Sequence, residues 1–405
     1  MDLYANMPSL HELTGEAKQS PITIRKVNGH FHTPYSFSAF NDMQQVMEMA
    51  EKESVDIIGI NDFYTTDGYD EFATLAARYR KFPLFNIEFM GLLKEEQEAG
   101  IRVNDPGNPG RTYLSGKGLD YPVSLQGDSL VKLKSVREES DRQMREMVEK
   151  ASAHLAILDP DLALEYDDIL RYHTMGMVRE RHIARVIRLK VFSKYKEEVS
   201  RNQVLFEIYG QRKPAADVNN PAEVEGEIRS MLLKSGGIAF VKEDPKAFLN
   251  IREVIRIILD AGGIPCYPVL LDDKDGNYTE FEANREVLYG KLTALNIHSL
   301  ELIPGRNRVE LLVPFVEYFH KRGFVITFGT EHNTPALDPL TVSAANAPLD
   351  EYLMQVSYEG ACIVAAHQFR RSMGETGFVN AEGKVTADRN ALIQLGNLVI
   401  EKFTR

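Results

Sequence analysis

Apolar positions begin to recur in a regular order at residue 22. Residues 22–32 read as a strand that empties into a loop of Thr33, Pro34, Tyr35 and Ser36. Over 41–54 the apolar residues Met43, Val46, Met47 and Ala50 share one helical face. Val55, Ile57, Ile58 and Ile60 make a β-branched run ending at Asn61-Asp62; 69–80 is helical again, and 83–89 is a third strand. A strand about every thirty residues with a helix between each pair predicts parallel βα units. The rhythm stops over 94–235, where the turn-rich run NDPGNPGRTYLSGKG and charge-dense helical stretches at 136–154 and 178–195 predict an inserted, mostly helical subdomain. It then resumes with a helix over 247–260 stopped by Gly262-Gly263. Strand 264–270, helix 281–295, strand 297–303, helix 309–322 and strand 324–329 follow. From 349 onward the pattern is helical. The organisation expected is an α/β barrel in two parts, 21–93 and 236–345, with the insert 94–235 between them. A helical segment, 346–405, packs on the barrel.

Bulk properties narrow the partners. The 405 residues include 59 acidic and 47 basic ones, a formal net charge of -12. Phosphate backbones and anionic membranes are held by Lys and Arg, so neither nucleic acid nor membrane is the expected partner. A small anionic substrate in a locally basic pocket stays open, and nothing in the pattern fixes an oligomeric state. Cys266 and Cys362 sit in apolar strings and read as small core residues, with no CxxC pair or disulfide framework. The first twenty residues lack a basic region followed by an apolar run, and no stretch approaches the ~20 apolar residues of a bilayer span. The expected location is the cytoplasm.

Chemistry collects at the strand ends: His30-Phe31-His32 on the first, Asn61-Asp62 on the second, Glu88 on the third, and Gly329-Thr330-Glu331-His332-Asn333 after the last. In a parallel barrel these ends meet on one face, where catalysis occurs. Residues two apart on a strand point the same way, so His30 and His32 can grip one metal. A carboxylate and a further histidine from neighbouring strands complete a mixed N and O set. Glu88 in FNIEFMG is the sharpest of these signals, because an unpaired carboxylate inside an apolar strand is costly. Asp62 reads equally well as a cap of the adjoining turn, and His332 as an ordinary loop histidine.

Weaker patterns divide between chemistry and plain structure. Residues 271–282 imitate a calcium loop with Asp273, Asp275, Gly276 and Glu282 in register, but Leu271 occupies the first ligand position and a strand precedes it, which rejects that reading. The Gly116-Lys117-Gly118 turn is a candidate phosphate holder. Arg179, Arg181, Arg185 and Arg188 read as a solvated helix face, or as a clamp leaning over the barrel mouth to hold an anionic group. Tyr64, Arg306 and Arg308 fall in loops near strand ends. His11, His154, His173, His298, His320 and His367 show no ligand-like grouping and are expected to be structural.

VNGHFHTPYSFSAF, IGINDFYTTDGYDEF and FNIEFMG resemble the first three motifs of the polymerase-and-histidinol-phosphatase superfamily. REVIRIILDAGGIPCYPVL, SLELIPGRN and GFVITFGTEHN resemble its later ones, and ERHIARVI resembles a histidine-bearing helix of its small-molecule branch. The likeness runs over 22–92 and 238–335. It implies a distorted seven-stranded TIM-like βα barrel that hydrolyses phosphoesters with two or three clustered divalent ions. This chain departs at the ligands: Phe63 and Tyr267 stand where the family has histidines, Glu331 and Asn333 where it has Asp-x-His, and Tyr113 replaces a further histidine. The resemblance therefore implies one ion, or two, of zinc, manganese or iron, held by His30, His32, Glu88 and either Glu331 or His332. Asp62 or Glu331 is the expected base, and Lys117, Arg181, His182 and Arg306 are the expected substrate contacts. The expected function is hydrolysis of a small phosphorylated metabolite by an activated water. A single-metal sugar isomerase or lyase, or a barrel that binds a ligand without turning it over, are the alternatives.

Overall fold

The computed structural model describes residues 3–5, 7–17, 20–272 and 276–405; Asp273 and Asp275 of the calcium-loop pattern lie outside the described residues. Among the described residues the strands are β1 Lys26–Phe31, β2 Val55–Phe63, β3 Phe82–Leu92, β4 Arg111–Lys117, β5 Leu249–Asn250, β6 Ile264–Pro268, β7 Ser299–Leu302 and β8 Val325–Phe328. Seven of them form one sheet in the order β1-β2-β3-β4-β6-β7-β8, and β5 is a short addition on β3. β2 and β3 are buried along nearly their whole length, as strands covered on both faces must be.

The sheet curls until its ends meet. His32 N–H donates to Glu331 O (2.7 Å), and Thr330 N–H donates to His30 O (2.9 Å). Gly329 permits this closure, since a Cβ there would stand 2.3 Å from the His30 Cβ. The result is a nearly closed α/β barrel with helices around it.

Packing follows the sequence periods. The helix Met43–Lys52 is capped by the Asp42 side chain, which accepts from Gln45 N–H, and buries Met43, Val46, Met47 and Ala50. The helix Ile251–Asp260 starts at a capping box of Asn250 and Glu253 and buries five aliphatic residues. The long helix Glu351–Ser372 lies on β8 so closely that a Cβ on Gly360 would meet Ile326 O at 1.9 Å. A second buried core, between Met144 and Val241, is distinct from that of the barrel.

The helices expected at 247–260 and 281–295 start later, at Ile251 and Arg285, with β5 ahead of the first; the larger departure is at 111–117. Arg111–Lys117, which the turn-rich sequence predicts as loop, is a strand antiparallel to both β3 and β6. Its flanking Gly, Pro and Asn residues hide it, and its direction breaks the βα rhythm. Among the described residues no helix is long and apolar enough to cross a membrane.

Candidate metal centre

β1 carries His30 and His32 into the barrel mouth, and β3 brings Glu88 beside them, all three buried. His30 Nε2 lies 3.4 Å from His32 Nε2, which lies 3.2 Å from Glu88 Oε2. The network behind the rings assigns their tautomers. Ser36 Oγ–H donates to Asp62 Oδ1 (2.6 Å), so it accepts from His32 Nδ1–H (3.1 Å). His30 Nδ1–H points at Glu301 Oε2 (2.9 Å). Each imidazole thus keeps its proton on the far side; His32 turns a bare Nε2 toward Glu88, and His30 turns its unprotonated Nε2 toward that of His32. Carboxylates backing histidines in this way are how metal-binding imidazoles are oriented and made more basic. Asn61 Nδ2 leans on the His30 ring, 3.1 Å from Nδ1 and 3.2 Å from Nε2, and reaches Ser115 Oγ at 3.0 Å.

Three carboxylates enclose the mouth, and two have cations. Glu301 is bound by the Lys117 ammonium; burial opposes its charge, yet His30 and Lys117 hold it down at about 2. Glu331 meets Arg306 (3.2 Å) and the Asn333 amide; burial opposes its charge too, but Arg306, His30 and His32 leave it below the usual carboxylate range. Glu88 has no cation within ion-pair distance among the described residues, and burial pushes it up to about 8. A buried carboxylate facing two bare imidazole nitrogens needs a positive charge between them, a proton or a metal ion.

Several expected site residues are placed elsewhere. His332 stacks on Phe40 (4.6 Å between centroids) and spends both ring nitrogens locally, Nε2–H on Asp338 O (2.8 Å) and Nδ1 on the Thr330 hydroxyl (2.7 Å). Consecutive left-handed residues, Glu331 (φ 67) and His332 (φ 51), turn the chain so that the carboxylate faces the mouth and the imidazole faces away. Asp62 takes the Thr33 N–H and hydroxyl as well as Ser36, so its lone pairs are committed to holding the 33–36 loop, and burial raises it. Lys117 rises from the barrel floor to Glu301 and Asn61 and is not in a phosphate-holding turn. His182 accepts the Arg179 N–H at Nδ1 (3.0 Å) and meets Phe37 edge-on; burial lowers it to about 3, so it is a neutral helix-start residue.

The histidine replacements differ from one another. Phe63 stacks on His32 (4.8 Å) and carries the Arg179 guanidinium on its other side (4.8 Å). Tyr267 turns its hydroxyl to Glu282 Oε1 (2.8 Å), and Glu282 also takes the N–H groups of Leu270 and Leu271.

Two cavities adjoin the cluster. One of about 240 Å³ is lined by Glu88, Glu301, Glu331, Arg306, Tyr113 and Phe63, among others. The other, about 250 Å³, shares Phe63, Asp105, Tyr113 and Asn333 with it and runs out to Arg111, Arg179, Arg181, Arg229 and Lys234. Arg111 is matched by Glu243 (3.1 Å), and Arg229 and Lys234 by Glu180 (2.7 and 2.9 Å). Arg179 and Arg181 have no carboxylate within ion-pair distance among the described residues, and burial with neighbouring Arg229 lowers Arg181 to about 10. Glu301 and Ser115 are the residues beside the cluster with no role assigned from sequence, whereas Arg179 is among the arginines expected either on a solvated helix face or over the barrel mouth. Glu301 carried the same signal as Glu88, an acid inside an apolar strand.

No family model matches the chain, and no curated protein sequence does. Among solved structures, a candidate metal-dependent phosphoesterase from Bifidobacterium adolescentis is similar over 83% of this chain and 96% of its own, at 15% identity and a TM-score of 0.53. An amidohydrolase from Chromobacterium violaceum, solved with sulfate and no metal, is similar over 78% and 93%, at 17% identity and a TM-score of 0.49. At such identity the first likeness is one of fold: this chain shares its barrel architecture with that candidate metal-dependent hydrolase.

Proposed function

We propose that this protein is a metal-dependent hydrolase of a small anionic substrate, with a phosphoester as the first choice. The observation that carries the reading is the convergence of His30 Nε2, His32 Nε2 and Glu88 Oε2, two bare imidazoles and an uncompensated carboxylate. Donors around one tetrahedral ion at ~2.1 Å stand ~3.4 Å apart, and the separations of 3.4 and 3.2 Å fit that spacing. Three protein ligands of N, N and O type suit zinc, manganese or iron, and leave a position for water or substrate. When bound, the ion supplies Lewis acidity and a water made acidic enough to react near neutral pH.

The chain's own groups divide the remaining work. Glu301 and Asp62, the latter through Ser36, keep both imidazoles in the ligating tautomer. Glu331 lines the inner cavity and is held ionised, against its burial, by Arg306, and its Oε1 accepts no hydrogen bond among the described residues, so it is the carboxylate open to accept a proton. Arg179 and Arg181, without carboxylate partners, would hold the substrate's anionic end, and Phe63 keeps water from the His32 face.

Elemental analysis of protein purified without chelator tests the metal, and release of p-nitrophenol from its phosphate mono- and diesters tests the reaction. About one ion per chain is expected, lost when His30 and His32 are both replaced by Ala. A wild-type content near zero after incubation with zinc, manganese or iron would sink the proposal. Metal and phosphate binding without turnover of any ester would turn it into a ligand-binding barrel.

A further inference from the structure

Strand β4 runs from the barrel mouth to its floor, and residues 113, 115 and 117 share its inward face. Each carries a polar group. Lys117, at the floor, is bound to Glu301 and Asn61. Ser115 donates to Glu301 Oε2 (3.1 Å) and accepts from Asn61 (3.0 Å). Tyr113, at the mouth, has a hydroxyl with no hydrogen-bond partner among the described residues, although its backbone is clamped on both sides by the Asn104 amide (2.8 and 3.1 Å). Tyr113 lines both cavities together with Asp105, the inner one also with Glu88 and Glu331 and the outer one also with Arg179 and Arg181.

We propose that Tyr113 is a catalytic residue whose hydroxyl donates a hydrogen bond to an oxygen of the reacting group bound between the metal cluster and Arg179. The inference rests on the hydrolase reading above. Three features support it. The lower two members of the β4 row are satisfied within the protein, whereas the one at the mouth is free for a ligand. The Asn104 clamp fixes the strand position that presents it. Burial, with Asp105, Glu88 and Glu331 nearby, keeps the phenol protonated, so it meets a substrate as a donor. A donor aimed at an oxygen that gains charge stabilises the transition state more than the ground state.

Tyr113→Phe removes the hydroxyl and keeps the ring. The full chain, with its metal content checked, is assayed with p-nitrophenyl phosphate and its diester, and inorganic phosphate binding is measured by calorimetry. The expected result is a kcat at least tenfold lower with KM changed less than threefold, weaker phosphate binding, and an unchanged metal content and melting temperature. Equal kcat and phosphate affinity in wild type and Tyr113→Phe would overturn the role of Tyr113 and leave the hydrolase reading standing. A metal-loaded wild type that neither turns over either ester nor binds phosphate would overturn both.

Discussion

Behind the His30 ring, 2.9 Å from its Nδ1, stands the Glu301 carboxylate. It lies outside the group of His30, His32 and Glu88, and it holds His30 in the tautomer that frees Nε2. Glu301→Gln should therefore lower metal affinity about 10–100-fold while His30, His32 and Glu88 stay in place. His332→Asn should leave metal content unchanged and lower only the melting temperature, because His332 bonds its own loop. Competition against a chelator measures both variants, and metal loss in His332→Asn would restore that residue to the ligand set. The histidine pair and Glu88 were legible in sequence because strand periodicity puts residues 30 and 32 on one face and because a lone acid in an apolar strand asks for a partner. Glu331 and His332 could not be separated that way. Two consecutive left-handed residues have no periodic signature, and they settle which of the neighbours faces inward. Phe63→His gives a further check: the ring lies on His32, so a histidine there should raise the metal count above one. The same change at Tyr267 should not, because that side chain faces Glu282.

Elements with strong periods, such as the helix Met43–Lys52 and strands β2 and β3, were readable because tertiary packing agrees with local pattern. β4 was not, because an antiparallel strand needs no βα connection and its ends are built from turn residues. The C-terminal helix Glu351–Ser372 shows what attaches an outer element to the barrel. His367 donates Nε2–H to Gly262 O (2.6 Å) and accepts Phe378 N–H at Nδ1 (2.9 Å), so it must stay neutral; burial lowers it to about 4. Its ordinary value is about 6.5. Between these values the unfolded chain binds more protons than the folded one, so acid removes stability. The contribution is complete above about pH 6.5, falls as pH drops, and is gone below about 4, a span of about 3 kcal/mol at most. Melting curves from pH 7 to 4.5 should show a shallower pH slope for His367→Gln than for wild type. Equal slopes would place the acid sensitivity in other groups.

Across the whole molecule, charge is distributed against its average. The chain carries -12 overall, yet the outer cavity gathers five cations. Three of them are matched by Glu180 and Glu243, which leaves Arg179 and Arg181 facing the cleft between the barrel and the second core. Net charge argued against nucleic acid and membrane and left a locally basic pocket open; which of the candidate arginines line it, and which lack a carboxylate partner, follows only from how the insert folds over the mouth. Arg181 is the sharper test. A partly buried guanidinium in no ion pair among the described residues, with Arg229 nearby and Glu180, Glu331 and Glu225 only partly offsetting the burial, costs stability in the free protein. Under the proposed function that cost is offset when an anion binds. Arg181→Met keeps the aliphatic stem, so the ligand-free protein should melt about 1–3 °C higher, the shift that a gain below about 1 kcal/mol gives in a domain of this size. Phosphate affinity should fall at least tenfold, and the stabilisation that phosphate confers on wild type should shrink with it. Metal content should stay at one, because Arg181 touches no ligand. A melting temperature that drops by several degrees, with phosphate binding intact, would make Arg181 a structural residue and leave the anion to Arg179 alone.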